Sequence, residues 1–139
     1  MISNQDLTRW LEAYGAAWEG RDAGAAAALF TDDAQYQETP YAEPFVGRAG
    51  VSDYWSRVTA GQRDVSFQFE PIAVSGSTGI AQWSAKFRSV SGDANSGDAN
   101  SDGANSDGVK VELNGVFVLE FADQAHVRSL REWWHVRSE

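Results

Sequence analysis

Residues 29–40 read LFTDDAQYQETP, and the chain changes here from helix to strand. The alanine-rich run before them, with Asp22 as a candidate N-cap, predicts a short second helix that reaches Phe30. The polar residues 31–33 end that helix. Residues 35–39 then predict a short strand. The stretch therefore joins a helical N-terminal region to a sheet.

The helices on either side of this stretch follow the spacing of a single buried face. Upstream, the spacing predicts a helix over residues 6–19, ended by Gly20. Its apolar positions are Leu7, Trp10, Leu11, Tyr14 and Trp18. Downstream, the same spacing predicts a third helix that ends near Gly61. Its positions are Val51, Tyr54, Trp55 and Val58.

From residue 64 onward the hydrophobic period changes to two, which predicts strands. The last strand is expected over residues 126–137. Asn114-Gly115 is a hairpin signal, but one strand that is bent or bulged at Gly115 fits the pattern better. Three helices and four longer strands indicate an α+β fold. A curved sheet wrapped by helices tends to leave a concave pocket between them.

Composition limits the class of protein. The 139 residues fit one domain spanning 1–139, and the absence of cysteine excludes disulfides and thiolate metal sites. A formal charge of −9 repels phosphate backbones, so nucleic acid is not an expected partner. No stretch approaches the roughly 18 apolar residues of a membrane span, and the first residues lack the pattern of a signal peptide. We therefore expect no membrane association and a cytoplasmic location.

Residues 91–108 form a degenerate five-residue repeat of Ser, Gly, Asp, Ala and Asn. No side chain in it is large enough to repay the ordering of the backbone, so we expect a flexible loop between two strands. Residues 98–103 match the first half of a calcium-binding loop. The match fails at the twelfth position, which is Val109 rather than glutamate, so we interpret the segment as a linker.

The order of elements resembles the NTF2-like superfamily, in its SnoaL-like and ketosteroid isomerase-like branch. The residues that carry the resemblance are Tyr14, Trp18, Arg21-Asp22, residues 29–34, Tyr36, Glu38, Pro40, Gly47, Tyr54-Trp55 and residues 131–134. The resemblance implies a cone in which three N-terminal helices pack on a strongly curved, mostly antiparallel β-sheet that encloses an apolar pocket. Many members form homodimers through the outer face of the sheet. The family includes isomerases, dehydratases, epoxide hydrolases, polyketide cyclases and non-catalytic binding modules, so the fold alone does not fix the chemistry.

The resemblance implies two catalytic residues. Glu38 matches the general-base carboxylate of ketosteroid isomerases, and Tyr14 matches the tyrosine that donates a hydrogen bond to the substrate oxygen. Alternatively, Glu38 is a rim carboxylate paired with Arg48, and Tyr14 is a core tyrosine bonded to a backbone carbonyl. The protonated acid that acts as second donor in those isomerases is missing, because Phe117 stands nearest to its place.

Glu132 is a candidate for a second catalytic carboxylate. It shares one face of the last strand with Leu130 and Trp134, and in the family this strand lines the cavity. Two inward carboxyls would raise one of their two pKa values and could divide acid and base roles. In the alternative register, Glu132 points outward and pairs with Arg131 or Arg88.

Aromatic residues are expected to form most of the pocket wall, which suits a flat apolar ligand. The predicted lining is Trp18, Tyr36, Trp55, Trp83, Phe87, Phe117, Leu130 and Trp134. Trp10 and Trp133 are candidates for a dimer interface instead. His126 and His135 are nine positions apart on one strand and so face opposite sides, which prevents them from chelating one metal together.

Two functional hypotheses follow from these residues. No nucleotide-binding, zinc-helix or nucleophile-elbow motif occurs, so we expect no cofactor. In the first hypothesis the protein binds a small hydrophobic molecule and transfers a proton as an isomerase, dehydratase or cyclase. In the second it is a non-catalytic module that binds a small ligand or dimerises. The direction of Glu38 and Glu132 distinguishes the two hypotheses.

Overall fold

A computed structural model describes residues 1–90 and 109–138 of the chain. The elements are α1 (Asn4–Glu19), α2 (Ala23–Ala27), β1 (Phe30–Gln37), β2 (Phe45–Val46), α3 (Gly47–Ala60), β3 (Gln62–Ser75), β4 (Thr78–Ser89), β5 (Val109–Phe121) and β6 (Val127–Ser138). The repeat at 91–108, with its partial calcium motif, lies outside the described residues.

The strands form one curved six-stranded sheet in the order β2-β1-β6-β5-β4-β3. β1 and β6 run parallel, and every other neighbouring pair is antiparallel. Helices α1 and α3 pack on the same layer of side chains, so the chain has the α+β architecture expected from its sequence. In the described part of the chain, no helix is both long and apolar enough to cross a membrane.

Helix α1 begins at a capping box and packs closely on the sheet. The Ser3 side chain accepts from the Asp6 backbone N–H at 3.0 Å, and the Asp6 carboxylate accepts from the Ser3 backbone N–H at 2.9 Å. Gly15 allows the close approach, because a Cβ there would lie 2.6 Å from the Phe67 ring of β3. This contact brings the aromatic face of α1 directly onto the inner face of the sheet.

The second helix is shorter, and the first strand begins earlier, than the sequence predicts. α2 ends at Ala27, and Phe30 already belongs to β1. The reason is a tertiary one: the Val127 backbone N–H donates to the Leu29 carbonyl at 3.0 Å, and Phe30 pairs with Val127 in the parallel register. This pairing outweighs the helix preference of the alanine run.

β5 is one continuous strand, as expected, but it has no bulge at Gly115. Its register with β4 is unbroken there, and the irregularity against β6 lies between Glu120 and Phe121. A Cβ at Gly115 would lie 2.5 Å from the Trp133 carbonyl oxygen and 2.8 Å from the Trp134 Cβ. The glycine therefore serves a close approach of β5 and β6 rather than a bend.

The core consists largely of aromatic rings between the helices and the sheet. Trp10 belongs to it, so its predicted role in a dimer interface is wrong: the side chain is buried, and its Nε1 donates to the Leu29 carbonyl at 3.1 Å. Its ring stacks on Tyr14 with the centroids 5.3 Å apart. From Tyr14, ring contacts continue to Trp18, Trp55 and Phe117. Tyr14, Trp18 and Trp55 also line a cavity, whereas Phe117 lies beneath them.

Candidate functional site

A cavity of about 520 Å³ opens between the helices and the concave face of the sheet. This volume lies within the usual range for small-molecule sites. The lining residues are Tyr14, Trp18, Tyr36, Glu38, Tyr54, Trp55, Val58, Gly61, Gln62, Trp83, Phe87, Ser89, Val111, Leu113, Glu132, Trp134, Val136, Arg137 and Ser138. Val136, Arg137 and Ser138 are exposed and lie at its mouth, whereas Glu132 is buried further along the same strand.

The structure places the three candidate catalytic side chains, Tyr14, Glu38 and Glu132, on this one wall. Six of the eight predicted lining residues are there too: Trp18, Tyr36, Trp55, Trp83, Phe87 and Trp134. Phe117 and Leu130 lie in the core instead. The Phe117 ring stacks against Trp83 with the centroids 5.2 Å apart, and Leu130 is fully buried opposite Leu119.

Glu132 faces inward and is almost fully buried, with 5% of its surface exposed. It lies opposite Phe117 in the β5–β6 register. The alternative outward pairing is wrong, because Arg88 pairs with Asp64 at 3.2 Å and the Arg131 guanidinium lies over the Trp133 ring. Burial raises the pKa of Glu132 well above its ordinary value, and the charge of Glu38 raises it further. Hydrogen bonding from Tyr36 lowers this pKa.

Glu38 directly follows β1 and is half-buried on the wall. Its backbone is fixed because Trp134 Nε1 donates to the Glu38 carbonyl at 3.1 Å. Burial raises the pKa of its carboxyl, while a hydrogen bond from Tyr54 and the charge of Arg57 lower it.

The alternative in which Glu38 pairs with Arg48 is wrong. Arg48 instead donates to the Phe30 carbonyl at 2.8 Å and pairs with Asp32 at 2.5 Å. Arg48 therefore holds the start of β1 in place, and Glu38 lines the cavity without an Arg48 partner.

Three tyrosines connect the two carboxyls to the aromatic wall. The hydroxyls of Tyr14 and Tyr36 are 2.9 Å apart, so Tyr14 bonds another phenol and not a backbone carbonyl. Hydrogen bonding from Tyr36 lowers the pKa of Glu132, and hydrogen bonding from Tyr54 lowers the pKa of Glu38. Burial raises the pKa of Tyr14, Tyr36 and Tyr54 well above the ordinary value, so all three keep their protons.

Two buried polar residues of the wall, Tyr54 and Gln62, were not among the predicted lining residues. Tyr54 lies on the predicted apolar face of the third helix and belongs to the residues that carry the family resemblance, and that face was the available signal for its burial. Gln62 gave no signal, because a glutamine at the start of a strand is ordinarily exposed. It is 6% exposed, and its Oε1 accepts from Trp18 Nε1 at 2.7 Å.

The histidines lie apart from this site. His126 hydrogen-bonds Asp123 just before β6, and His135 is exposed and is not a lining residue. Across residues 1–90 and 109–138, no group of three or more His, Asp or Glu side chains is arranged to hold a metal ion.

Comparison with known proteins identifies the class. The profile of the SnoaL-like domain matches residues 11–129, and the chain belongs to this family. The ketosteroid isomerase-like fold of the NTF2-like superfamily, expected from the sequence, is thereby confirmed. Among curated proteins, no sequence matches the chain significantly.

Solved structures show the same fold at low sequence identity. The epoxide hydrolase/cyclase-like enzyme SalBIII of pyran ring formation in the polyether salinomycin is 18% identical, with a TM-score of 0.74 over 96% of both chains. TsrD from Streptomyces laurentii is 14% identical, with a TM-score of 0.73 over 96% of this chain and 91% of that one. A protein with a ketosteroid isomerase-like fold from Catenulispora acidiphila, solved in complex with trimethylamine, is 17% identical, with a TM-score of 0.67 over 88% of this chain and 82% of that one.

Proposed function

We propose that the cavity binds a small apolar ketone and transfers a proton at the carbon next to its carbonyl, with Glu38 as the base and without a cofactor. One observation carries this proposal: two carboxyls with raised pKa values share an aromatic wall with a hydrogen-bonded pair of tyrosines. Raised pKa values and a chain of phenol donors on one apolar wall are typical of acid–base sites.

The two carboxyls take different protonation states. Glu132 is the more deeply buried of the two and feels the charge of Glu38, so it takes up a proton first as the pH falls. Once Glu132 is neutral, it no longer repels a charge on Glu38. Tyr54 and Arg57 then help Glu38 to remain a carboxylate near neutral pH. Glu38 is therefore the base, and Glu132 is the acid.

The protonation state of Glu132 sets the direction of the tyrosine chain. A neutral Glu132 donates its proton to the Tyr36 oxygen, Tyr36 donates to Tyr14, and the Tyr14 proton is left for a ligand oxygen. An ionised Glu132 accepts from Tyr36 instead, and Tyr36 accepts from Tyr14. Tyr14 then has no proton to offer the ligand.

The reaction is a reversible enolisation. The Glu38 carboxylate removes a proton from the α-carbon, and the electron pair of that C–H bond forms the C=C bond of the enolate. The carbonyl oxygen takes the resulting negative charge, which the Tyr14 O–H stabilises by a hydrogen bond. Return of the proton from Glu38 to the same or a conjugated carbon restores the carboxylate, so that atoms and charge balance.

The test uses 2-tetralone, a bicyclic ketone with exchangeable α-protons. In D₂O the wild-type protein should speed the exchange of these protons for deuterium, measured by NMR against a buffer blank. Glu38→Gln should lower the protein-catalysed rate by about 10²-fold or more, as expected for loss of a general base. Glu43→Gln, at an exposed position five residues along the chain, is the matched control and should keep the rate.

Two results would count against the proposal. Binding of 2-tetralone with no exchange above the blank supports a non-catalytic binding module in its place. Exchange that survives Glu38→Gln shows that another group is the base.

We also propose that the protein forms a homodimer through the outer face of its sheet. Val116 lies opposite Trp133 in the β5–β6 register, and Val118 lies opposite Ile80 in the β4–β5 register. Trp133 is 45% exposed on this face. The helices cover only the other face, so a second copy is the simplest cover for these apolar residues.

A further inference from the structure

We propose that the side-chain amide of Gln62 is a second ligand-binding donor, which selects molecules that carry an acceptor oxygen remote from the reacting carbonyl. This inference rests on the proposed binding function of the cavity and names the class of ligand. It assigns Gln62 a role in specificity and not in the proton transfer itself.

The orientation of the Gln62 amide follows from its partner. Trp18 Nε1 can only donate a hydrogen bond, so the Gln62 atom 2.7 Å away must be the acceptor oxygen Oε1. The NH₂ group is therefore directed away from the indole N–H. The backbone is fixed as well, because the Gln62 carbonyl accepts from Arg63 Nη1 at 2.8 Å and from Arg21 Nη1 at 3.4 Å.

In the described part of the chain, the amide NH₂ has no protein acceptor. Gln62 is more than nine-tenths buried and belongs to the cavity wall. Within residues 1–90 and 109–138, no oxygen accepts a hydrogen bond from its Nε2. The Nε2 atom is not one of the fully buried unpartnered nitrogens of the described residues, which are Trp55 Nε1 and Trp83 Nε1, so it is accessible from the cavity. A ligand oxygen placed there would accept a hydrogen bond from it in a site that holds little water. The cavity thus presents an oriented, unpaired donor among apolar walls.

The position of Gln62 defines the shape of the ligand. Trp18 lies between the two donors: it hydrogen-bonds Gln62, and its ring centroid is 6.2 Å from that of Tyr14. The Trp18 ring also contacts Trp55 at 5.0 Å and Trp83 at 5.8 Å between centroids. A ligand that reaches both donors must lie along these indoles. The fitting class is a flat molecule of two or more fused rings, with a carbonyl at one end and an ether, hydroxyl or second carbonyl at the other.

Two ketones that differ in one atom test this selectivity. In 6-methoxy-2-tetralone the remote group offers an ether oxygen, and in 6-ethyl-2-tetralone a methylene replaces that oxygen. Quenching of tryptophan fluorescence measures the affinity of each. Wild-type protein should bind the methoxy ketone about fivefold more tightly, which corresponds to one net hydrogen bond.

Gln62→Met keeps the length of the side chain and removes its donor. This variant should bring the ratio of the two affinities to about one, because only the binding of the methoxy ketone weakens. Gln68→Met, at an exposed position on the same strand, is the matched control and should keep the wild-type ratio. Trp18→Phe keeps a ring but removes the N–H that orients the amide. It should lower the ratio even though Gln62 is intact.

The outcomes separate this inference from the proposed function. Equal affinities in the wild type, or a wild-type ratio in folded Gln62→Met, overturn the inference and leave the cavity function standing. An equal loss of affinity for both ketones in folded Gln62→Met also overturns the inference, because Gln62 then has only a structural role. If Gln62→Met does not fold, two measurements decide whether the inference holds: the affinity ratio of the wild type, and the fall of that ratio in Trp18→Phe. If neither ketone binds the wild type, the proposed function fails together with the inference.

Discussion

Glu38 and Glu132 differ in how far each is removed from water, and this difference underlies their proposed roles. Glu132 has almost no exposed surface, whereas Glu38 is half-buried and has Tyr54 and Arg57 beside it. Burial penalises the charged form of both, so both folded-state pKa values lie above those of the unfolded chain. At the residue scale, the site therefore stores electrostatic strain that a structural carboxylate would not carry.

The strain at Glu38 predicts a variant that is more stable and inactive. A raised folded-state pKa means that the stabilisation from this group is fully present below the unfolded pKa and is lost as pH rises through the folded pKa. Glu38→Gln removes the charge and keeps the shape. It should therefore unfold at higher urea than wild type at pH 8, and the difference should shrink at pH 5. Glu43→Gln, at an exposed position, should show no such difference. A wild-type advantage at pH 8 would count against Glu38 as a strained base.

At the scale of elements, the contact between β5 and β6 holds the site together, since β6 carries both Glu132 and Trp134. Gly115→Ala should destabilise the protein by about 1–3 kcal/mol, because its Cβ would overlap the Trp133 carbonyl at 2.5 Å and backbone atoms cannot move aside cheaply. Gly24→Ala, in α2, is the matched control: its Cβ meets nothing nearer than 3.6 Å, so it should be neutral or slightly stabilising. Urea unfolding of both variants checks the prediction, and equal stabilities would refute the close-approach account.

The connection between β4 and β5 predicts a tolerated deletion. Ser89 and Val109 are paired in the sheet, so a short turn can close the two strands. Loop-closure entropy changes by only about 0.6 kcal/mol per doubling of length. Replacement of residues 92–107 by a short Gly-Asn turn should preserve or slightly raise the Tm, and calcium should not shift it. A fall in Tm of more than about 5 °C would show that the repeat stabilises the fold.

The sequence pattern predicts strands β3 to β6 but misplaces the start of β1. Period-two alternation located β3 to β6 because one face of each strand is apolar. The start of β1 was misplaced because a parallel pairing with Val127, remote in sequence, decides it. The inward direction of Glu132 and the position of Glu38 left alternatives open, since an arginine partner was equally compatible with the sequence. The Tyr14–Tyr36 bond and the burial of Gln62 depend on three-dimensional packing that no local pattern records.

At the scale of the whole molecule, the outer face of the sheet predicts the oligomeric state. Sedimentation equilibrium at micromolar concentration should give a dimer. Trp133→Glu places a charge on the proposed interface and should give a monomer that keeps its fold, because the side chain is outside the core. Ile72→Glu tests another exposed apolar position, on β3. It should leave a dimer centred on Trp133 intact. A wild-type monomer under these conditions would exclude the proposed interface.

The pH dependence of deuterium exchange into 2-tetralone tests the division of roles between the two carboxyls most directly. The wild-type rate should rise with pH as Glu38 ionises and fall again as Glu132 ionises, because Tyr14 then donates its proton to Tyr36 and no longer to the ligand. Glu132→Gln keeps an amide donor towards Tyr36 and cannot ionise. It should therefore retain the rising limb and lose the fall at high pH. A falling limb that persists unchanged in Glu132→Gln would contradict the account.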